Sequence, residues 1–398
     1  MEFFILDSFD LRGKTVILRV DINSPLDRET LELIDISRIE ACVPTIRELT
    51  EKEAKVVVIA HQGRPGEWDF VPLKKHALTL ERLLGREVGY VNDLFGEGAK
   101  KSIRDLKPGQ VLMLGNVRGC KDEMAKKNPE ELAECDLVRE LGSLGEYFVN
   151  DAFAAAHRSQ ASLVGFPHVM PAMAGRLMEK ELKTLSRAFE NPDRPTLFFF
   201  GGAKFDDVAE MIKKLKARGI ADHIALVGMA GEAFLAAEGL DMGKTMELLK
   251  GDFSEMRGVI NDKIILPVDF AYEKRGKRFE IRIEKMPIDS VVYDIGRESI
   301  ELFKGYIKKA MTIVISGPAG RFEEEIFMKG TKELFEAIVD SSAFSLAGGG
   351  HTTAALEKLG MKDRFSYVST GGGALEAFML GEPLPAVAAL ERSYRKFS

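Results

Sequence analysis

The chain has 398 residues, 45% apolar and 30% charged, which excludes a disordered or fibrous polypeptide and allows roughly two domains. Its 56 basic residues against 62 acidic ones leave a net charge of −6, so no basic excess is available for nucleic acid or an acidic membrane. An anionic ligand must therefore be captured by local clusters. Cys42, Cys120 and Cys135 form no C-x-x-C pair and read as buried, reduced thiols. No apolar run reaches the roughly 18 residues of a spanning helix, and the acidic start lacks a signal-peptide pattern. The expectation is a soluble, cytoplasmic monomer with no nucleic-acid or membrane partner.

In chain order, the first half carries β-rich runs at VILRV (16–20), KVVVIAH (55–61), QVLMLGN (110–116) and YFVNDA (147–152). Amphipathic stretches with i, i+3, i+4 apolar spacing cover Ile39–Leu49 and Glu130–Leu141. A proline-marked region, GFPHVMPAMAG (165–175), leads into a predicted helix from Leu177 to about Phe189, which stops at NPDRP. The interdomain connection is placed there, separating residues 1–172 from 173–385. The second half carries TLFFFGG (196–202), the helical stretch Val208–Leu215, HIALVG (223–228), KIILPVDFAY (263–272), VVYDIG (291–296), TIVISG (312–317), FSLAGGG (344–350) and YVSTGGG (367–373). The β-rich runs are continuously apolar rather than alternating, as strands buried on both faces of a parallel sheet must be. Strands alternating with helices then give an α/β fold with two doubly wound parallel-sheet domains.

In such sheets ligands bind beyond the carboxyl ends of the strands. The first half places Arg19, Asp21, Asn23, His61, Arg64, Arg118, His157 and Arg158 at or after such ends, with Arg38 opening a helix. Any one of these arginines alone reads better as a solvated or salt-bridged surface residue. Five together would repel one another unless a small ligand with several negative charges sat among them. The second half places glycines there instead, around Gly201–Lys204, Gly228, Gly317–Pro318, Gly348–Thr352 and Gly371–Gly373. One glycine is a tight turn; five glycine loops, several opening a helix, form a phosphate cradle. No G-x-G-x-x-G follows the first strand, GLDMGKT (239–245) lacks P-loop spacing, and the six histidines lack metal-ligand spacing. An anion cage on one domain and a phosphate cradle on the other point to phosphoryl transfer between two ligands.

RVDINSP, SRIEACVPTI, AHQGRP, VNDAFAAAHR, GGAK, LPVDF, SGPAGRFE, GGGHTT and STGGGA, in this order, closely resemble the phosphoglycerate kinase family, and GEPLPAVAALERSYRKF resembles its archaeal-type branch. The resemblance implies reversible phosphoryl transfer between ATP and the carboxylate of 3-phosphoglycerate, giving ADP and 1,3-bisphosphoglycerate, with Mg2+ accompanying the nucleotide. It also implies a hinge helix, domain closure and a C-terminal segment, 386–398, packing back on or near the first domain. By position, Asp21, Asn23, Arg38, His61, Arg64, Arg118 and Arg158 would hold the phosphoglycerate. Gly202, Lys204, Gly228, Pro318, Glu323, Gly349, Gly350, His351 and Thr352 would hold the nucleotide, with Glu323 on the ribose. Arg38, Lys204, Gly350 and Gly373 would serve the transferring group.

The attacking carboxylate is already ionised at neutral pH, so no general base is required. Asp21 reads either as orienting an arginine or accepting the substrate hydroxyl, or as a turn cap. Three positions depart from the family pattern: Val208 stands where many members have a second lysine, His351 where many have a metal-serving aspartate, and Gly115–Gly119 reads GNVRG rather than ENLRF. The metal ligand is thereby left unknown. Val208 and His351 also keep open a non-catalytic binding relative of the same fold, and an NAD-dependent oxidoreductase is disfavoured by the missing fingerprint.

Overall fold

The computed structural model describes residues 1–203, 207–249 and 253–398. They form two compact units, Met1–Lys183 with Pro383–Ser398, and Thr184–Glu382.

The first unit is built on seven strands: β1 (Phe4–Ile5), β2 (Thr15–Val20), β3 (Lys55–Ala60), β4 (Val88–Tyr90), β5 (Val111–Asn116), β6 (Tyr147–Asp151) and β7 (Ala172–Ala174). They pair in parallel in the order β1-β7-β6-β2-β3-β5-β4. The Val- and Ile-rich runs of β2 and β3 are buried on both faces, as their lack of alternation requires. Helix Ser37–Glu51 seals one face with Ile39, Cys42, Val43, Ile46 and Leu49, an i, i+3, i+4, i+7 stripe. The stretch expected as one helix over Glu130–Leu141 is two, Pro129–Ala133 and Asp136–Gly142. Asn128 and Glu131 form a capping box that starts the first, and the extended backbone of Cys135 restarts the second. The proline-marked segment supplies a helical turn, Phe166–Val169, and strand β7 to this sheet; the division between units falls within the next helix, Arg176–Phe189. The C-terminal helix Pro385–Phe397 packs on this unit, where Ser393 Oγ accepts from the Ala172 amide at 2.8 Å and Lys396 Nζ donates to His168 O at 2.7 Å.

The second unit carries β8 (Thr196–Phe200), β9 (His223–Leu226), β10 (Ile264–Ile265), β11 (Asp269–Lys274), β12 (Lys277–Arg282), β13 (Val292–Ile295), β14 (Thr312–Ser316), β15 (Phe344–Gly348) and β16 (Tyr367–Val368). Six form a parallel sheet in the order β10-β9-β8-β14-β15-β16. Two runs that read as parallel strands do otherwise. Pro267 separates β10 from β11, and β11 turns back through Arg275 and Gly276, at φ +54° and +72°. Two successive positive φ values make the type I′ turn of a tight hairpin. Strands β12, β11 and β13 therefore form a separate antiparallel sheet. The charged, mostly exposed β12 carries no apolar signature to read. Among the described residues no single helix is long and apolar enough to cross a membrane.

Asp151, at the end of β6, is completely buried, and its Oδ1 accepts from the amides of Leu177 (2.9 Å) and Met178 (3.1 Å) at the start of the helix joining the units. Burial pushes its pKa up to about 6 despite those donors. The native carboxyl thus keeps a proton that the unfolded one, with a pKa of about 3.9, has released. Its contribution is full below that value and is lost as pH rises through about 6. Asp151→Asn keeps the capping oxygen and removes the ionisation. Thermal melts should show its advantage over wild type growing between pH 4 and pH 7, to on the order of 1–3 kcal/mol. A difference that does not vary with pH would exclude this role for the carboxyl.

Candidate active site

The chain leaves β2 toward β3 on one side while β6 pairs on the other, so loops from neighbouring central strands part at this point in the first sheet. Such a switch point is where an open sheet leaves a crevice. Asn23, Arg64, Arg118 and Arg158 line a cavity there of about 240 Å3, with Gly63, Glu67, Trp68 and Asp69. The loops are knitted together: Asn23 Oδ1 accepts from the Gly63 amide at 3.0 Å, Gln62 exchanges hydrogen bonds with the Ser24 backbone at 2.9 and 3.0 Å, and Asn116 Nδ2 donates to Gln62 O at 2.7 Å. Arg118 donates from Nη1 to Gly63 O, and its Nε is buried without a partner among the described residues. Burial first, then repulsion from Arg158, Arg19 and Arg64, pushes its pKa down. The cavity therefore holds positive charge with too little negative charge to balance it.

Asp21, Arg38 and His61 do not line this cavity but stand behind and beside it. Asp21 Oδ1 accepts from Arg38 Nη1 at 3.0 Å and from the Asn23 amide at 3.1 Å, so it both orients an arginine and caps a turn. Burial opposes its ionisation, but His61, Arg38, Arg19 and the Asn23 amide outweigh that and hold its pKa at about 2. His61 is pushed well below its ordinary value, by burial and then by Arg19. The imidazole is thus neutral at physiological pH, and the guanidiniums carry the attraction for Asp21. Arg19 faces inward and is completely buried. It donates to His61 Nδ1 and to Ser162 Oγ, each at 2.9 Å, and Ser162 Oγ donates to Glu123 Oε1 at 2.6 Å. Of the five arginines at strand ends and helix start, this one is a support for His61 rather than a ligand-facing group. Arg158 lies beside His157, with Nε 3.3 Å from the imidazole Nε2.

In the second sheet the switch point falls between β8 and β14. Here the backbones approach closely: a Cβ on Gly317, at φ +99°, would lie 2.1 Å from Gly201 O, so only glycine fits. The Gly202 amide donates to Pro318 O at 2.9 Å, the Met229 amide to Gly202 O at 3.2 Å, and the Gly317 amide to Thr352 Oγ1 at 2.7 Å. Two adjoining cavities result. One, about 390 Å3, is lined by Gly202, Ser316, Gly317, Gly349, Gly350, His351, Thr352 and Gly373, among others, and receives the N-termini of helices Gly350–Lys358 and Gly372–Leu380. Orphan amides and helix dipoles favour negative charge in that space. The other, about 370 Å3, is largely apolar, with Gly228, Val292, Tyr293, Pro318, Phe322, Glu323 and His351 on its walls. Gly202, Ala203 and His351 belong to both.

Every described residue expected to hold a nucleotide thus lines one of these two cavities, while Lys204 lies outside the described residues. Val208 is buried at the start of its helix, so no cation stands there. Sequence reasoning passed over Asp207, which lines the glycine-walled cavity three places after Lys204 in the sequence, and Glu232, a lone acid in the apolar helix Gly228–Ala237. Among the described residues no group of three or more His, Cys, Asp and Glu side chains could enclose a metal ion.

The family model for phosphoglycerate kinase matches residues 6–382. Phosphoglycerate kinase of Methanothermus fervidus is 43% identical over 404 residues, covering 99% of this chain and 98% of that one. That of Sulfurisphaera tokodaii is 41% identical, covering 98% and 96%. The crystal structure of phosphoglycerate kinase from Pyrococcus horikoshii superposes with a TM-score of 0.90 at 40% identity, covering 99% of this chain and all of that one. The enzyme from Coxiella burnetii gives 0.84 at 32% identity, covering 98% and 99%.

A Cβ on Gly350 would meet no protein atom within 4 Å, so protein packing does not require glycine at this helix start. Gly350→Ala should therefore keep or slightly raise the melting temperature, since alanine favours helix. Its methyl would intrude on the amide cradle, and affinity for tripolyphosphate, measured by titration, should fall at least about tenfold. Unchanged affinity would remove Gly350 from the cradle.

Proposed function

The chain belongs to the phosphoglycerate kinase family and is a phosphotransferase, and we propose that its basic cavity holds 3-phosphoglycerate while its glycine-walled cavities hold ATP or ADP. The observation that carries this reading is the uncompensated charge around Arg118, whose buried Nε lacks a partner among the described residues while Arg64 and Arg158 crowd it. A small phosphorylated acid supplies what is missing, and guanidinium forks suit both phosphate and carboxylate. Nothing in the fold or the comparisons favours the non-catalytic alternative or the NAD-dependent one.

In the proposed reaction the acid's carboxylate attacks the γ-phosphorus of ATP, the bond to the β–γ bridging oxygen breaks, and ADP leaves. No proton moves, and none needs to. Catalysis then consists of positioning and of stabilising charge on the transferring phosphoryl. Asn23, Arg64, Arg118 and Arg158 bind the acid; Asp21 fixes Arg38, and the Arg19–His61 hydrogen bond fixes the imidazole. Lys204, Arg38 and the amides at Gly350 and Gly373 meet the phosphoryl group. Gly202, Gly228, Pro318 and Glu323 receive the base and ribose, and His351 and Thr352 the phosphates. Direct transfer requires the two ligands to meet, so closure of one unit on the other belongs to this reading.

Oxygen donors for a hard divalent cation are present: Asp207 and Glu376 both line the glycine-walled cavity. They fit a magnesium ion that travels with the nucleotide, held mainly by phosphates and water and with Asp207 as its protein oxygen. When bound, such an ion supplies charge neutralisation to the phosphate chain. A coupled assay for ADP formation with 3-phosphoglycerate tests the function directly, and no ADP above the hydrolysis blank would refute it.

Arg38→Ala should lower kcat by about 100- to 1000-fold, the usual cost of one preorganised donor, with MgATP affinity unchanged. Retention of more than a tenth of wild-type turnover would remove Arg38 from the transferring group, since tenfold is only about 1.4 kcal/mol. Rates measured against free magnesium separate the other two side chains. His351→Ala should slow turnover modestly at an unchanged magnesium requirement, whereas Asp207→Asn should raise that requirement severalfold. The opposite pattern would make the imidazole the metal's partner.

A further inference from the structure

Among the described residues the second unit buries three carboxyl groups close to its ligand cavities or the sheet beside them, and two of the three have hydrogen-bond or ion-pair partners. Asp269 accepts from the amides of Glu298 (2.9 Å) and Ser299 (2.7 Å) and from the Ser299 hydroxyl (2.5 Å). Asp294 pairs with Arg278 at 2.7 Å and accepts from the Gly330 amide at 2.8 Å. Glu232 is 5% exposed and has neither an ion pair nor a hydrogen bond among the described residues. It stands one helical turn beyond Gly228 and lines the largely apolar cavity with Gly228, Met229, Val292 and Tyr293. Its carboxyl oxygens are not among the solvent-inaccessible unpaired atoms, so they open onto accessible space rather than into packed core. A buried polar group without a partner is costly, and folding does not leave one facing a cavity without a reason.

The reading above places the nucleotide phosphates at the helix N-termini and therefore the base in the apolar cavity that adjoins them. Resting on that reading, we propose that Glu232 is the base-reading residue of this pocket, its carboxyl donating one hydrogen bond to a purine ring nitrogen and accepting one from the neighbouring exocyclic amino group. Burial without a compensating cation drives its pKa up to about 8, so the side chain is a neutral acid at physiological pH. A neutral carboxyl presents one donor beside one acceptor. That pair complements the acceptor and donor which adenine shows side by side on its N1/N6 or N7/N6 edge. Ionisation would be doubly unfavourable here: it would leave two acceptors facing a ring nitrogen, in a cavity that shares Gly202 and His351 with the phosphate cradle.

Calorimetric titration of the full chain with MgADP and with the magnesium complex of purine riboside 5′-diphosphate, which lacks only the 6-amino group, tests this. Wild type should prefer MgADP by about tenfold or more, the scale of one buried hydrogen bond left unmade. Glu232→Gln, which keeps a donor beside an acceptor, should retain that preference, and Glu232→Leu should bring the two ligands within about twofold of each other. A purely structural buried glutamate would change both affinities together and leave their ratio alone. Equal binding of the two ligands by wild type, or a wild-type ratio in Glu232→Leu, overturns the proposal while leaving the nucleotide site standing. Failure of wild type to bind either ligand overturns the nucleotide reading and this proposal with it.

Discussion

A parallel sheet gathers the carboxyl ends of all its strands along one edge, because each strand must be returned by a crossover before the next can begin. In both units the strand order reverses once near the centre, beside β2 in one and between β8 and β14 in the other. At those places adjacent loops leave in opposite directions and open a crevice that packing cannot close. What fills the edge differs by unit. The first supplies long cationic side chains, which reach a small, compact anion from several directions. The second supplies glycine and helix N-termini, which bring the backbone itself against an extended polyanion.

The basic edge is electrostatically frustrated on its own, and its supports show how the strain is contained. Arg19 is desolvated completely and is held through Ser162 to Glu123, behind the layer that faces the cavity. Asp21 takes Arg38. Arg118 keeps a buried Nε with no partner among the described residues, and Arg158, Arg19 and Arg64 repel it with Glu123 opposing them only in part. Glu123 thus supports the inward Arg19 and Asp21 orients Arg38, while Arg64, Arg118 and Arg158 line the cavity. An anion that binds this unit must therefore stabilise the folded state by mass action, over and above any role in turnover.

Much of this was legible in the sequence for physical reasons. Doubly buried strands must be continuously apolar, so TLFFF and VVVIA announced a parallel sheet without any partner in view. Positions just after such runs are at the carboxyl edge whatever the strand order, which is why Arg118 and Gly317 could be assigned there. What the sequence hid depends on relations between distant segments. An inward Arg19 and an outward Arg64 look alike until Ser162 and Glu123 are placed. Strand β12 hid because four of its six residues are charged and most face solvent. Glu134 and Cys135 break a helical stripe whose apolar periodicity continues unbroken across them. Glu232 had a local signal, a lone acid within GMAGEAFLAA, but which face it takes follows only from the fold.

The two edges share a further property in the proposed reading: neither is asked to act as a general base. His61 has its Nδ1 occupied by Arg19 and is neutral, Asp21 is committed to Arg38, and the carboxyls of Asp207 and Glu376 stand among the glycines of the phosphate cavity, where the proposed reading uses them as oxygen donors for the cation. For a hydroxyl acceptor the proposed constellation would lack an assigned group to take the proton in the transition state. For an acceptor that is already a carboxylate it is complete. A base close to the attacking oxygen would be a second negative or acceptor group in a region where the transferring phosphoryl needs donors. The same logic extends to the base pocket, where a carboxyl is tolerated because burial keeps it protonated. In the proposed reading the acceptor is thus favoured by its charge: an ionised acid is held between cations and needs no activation before it attacks.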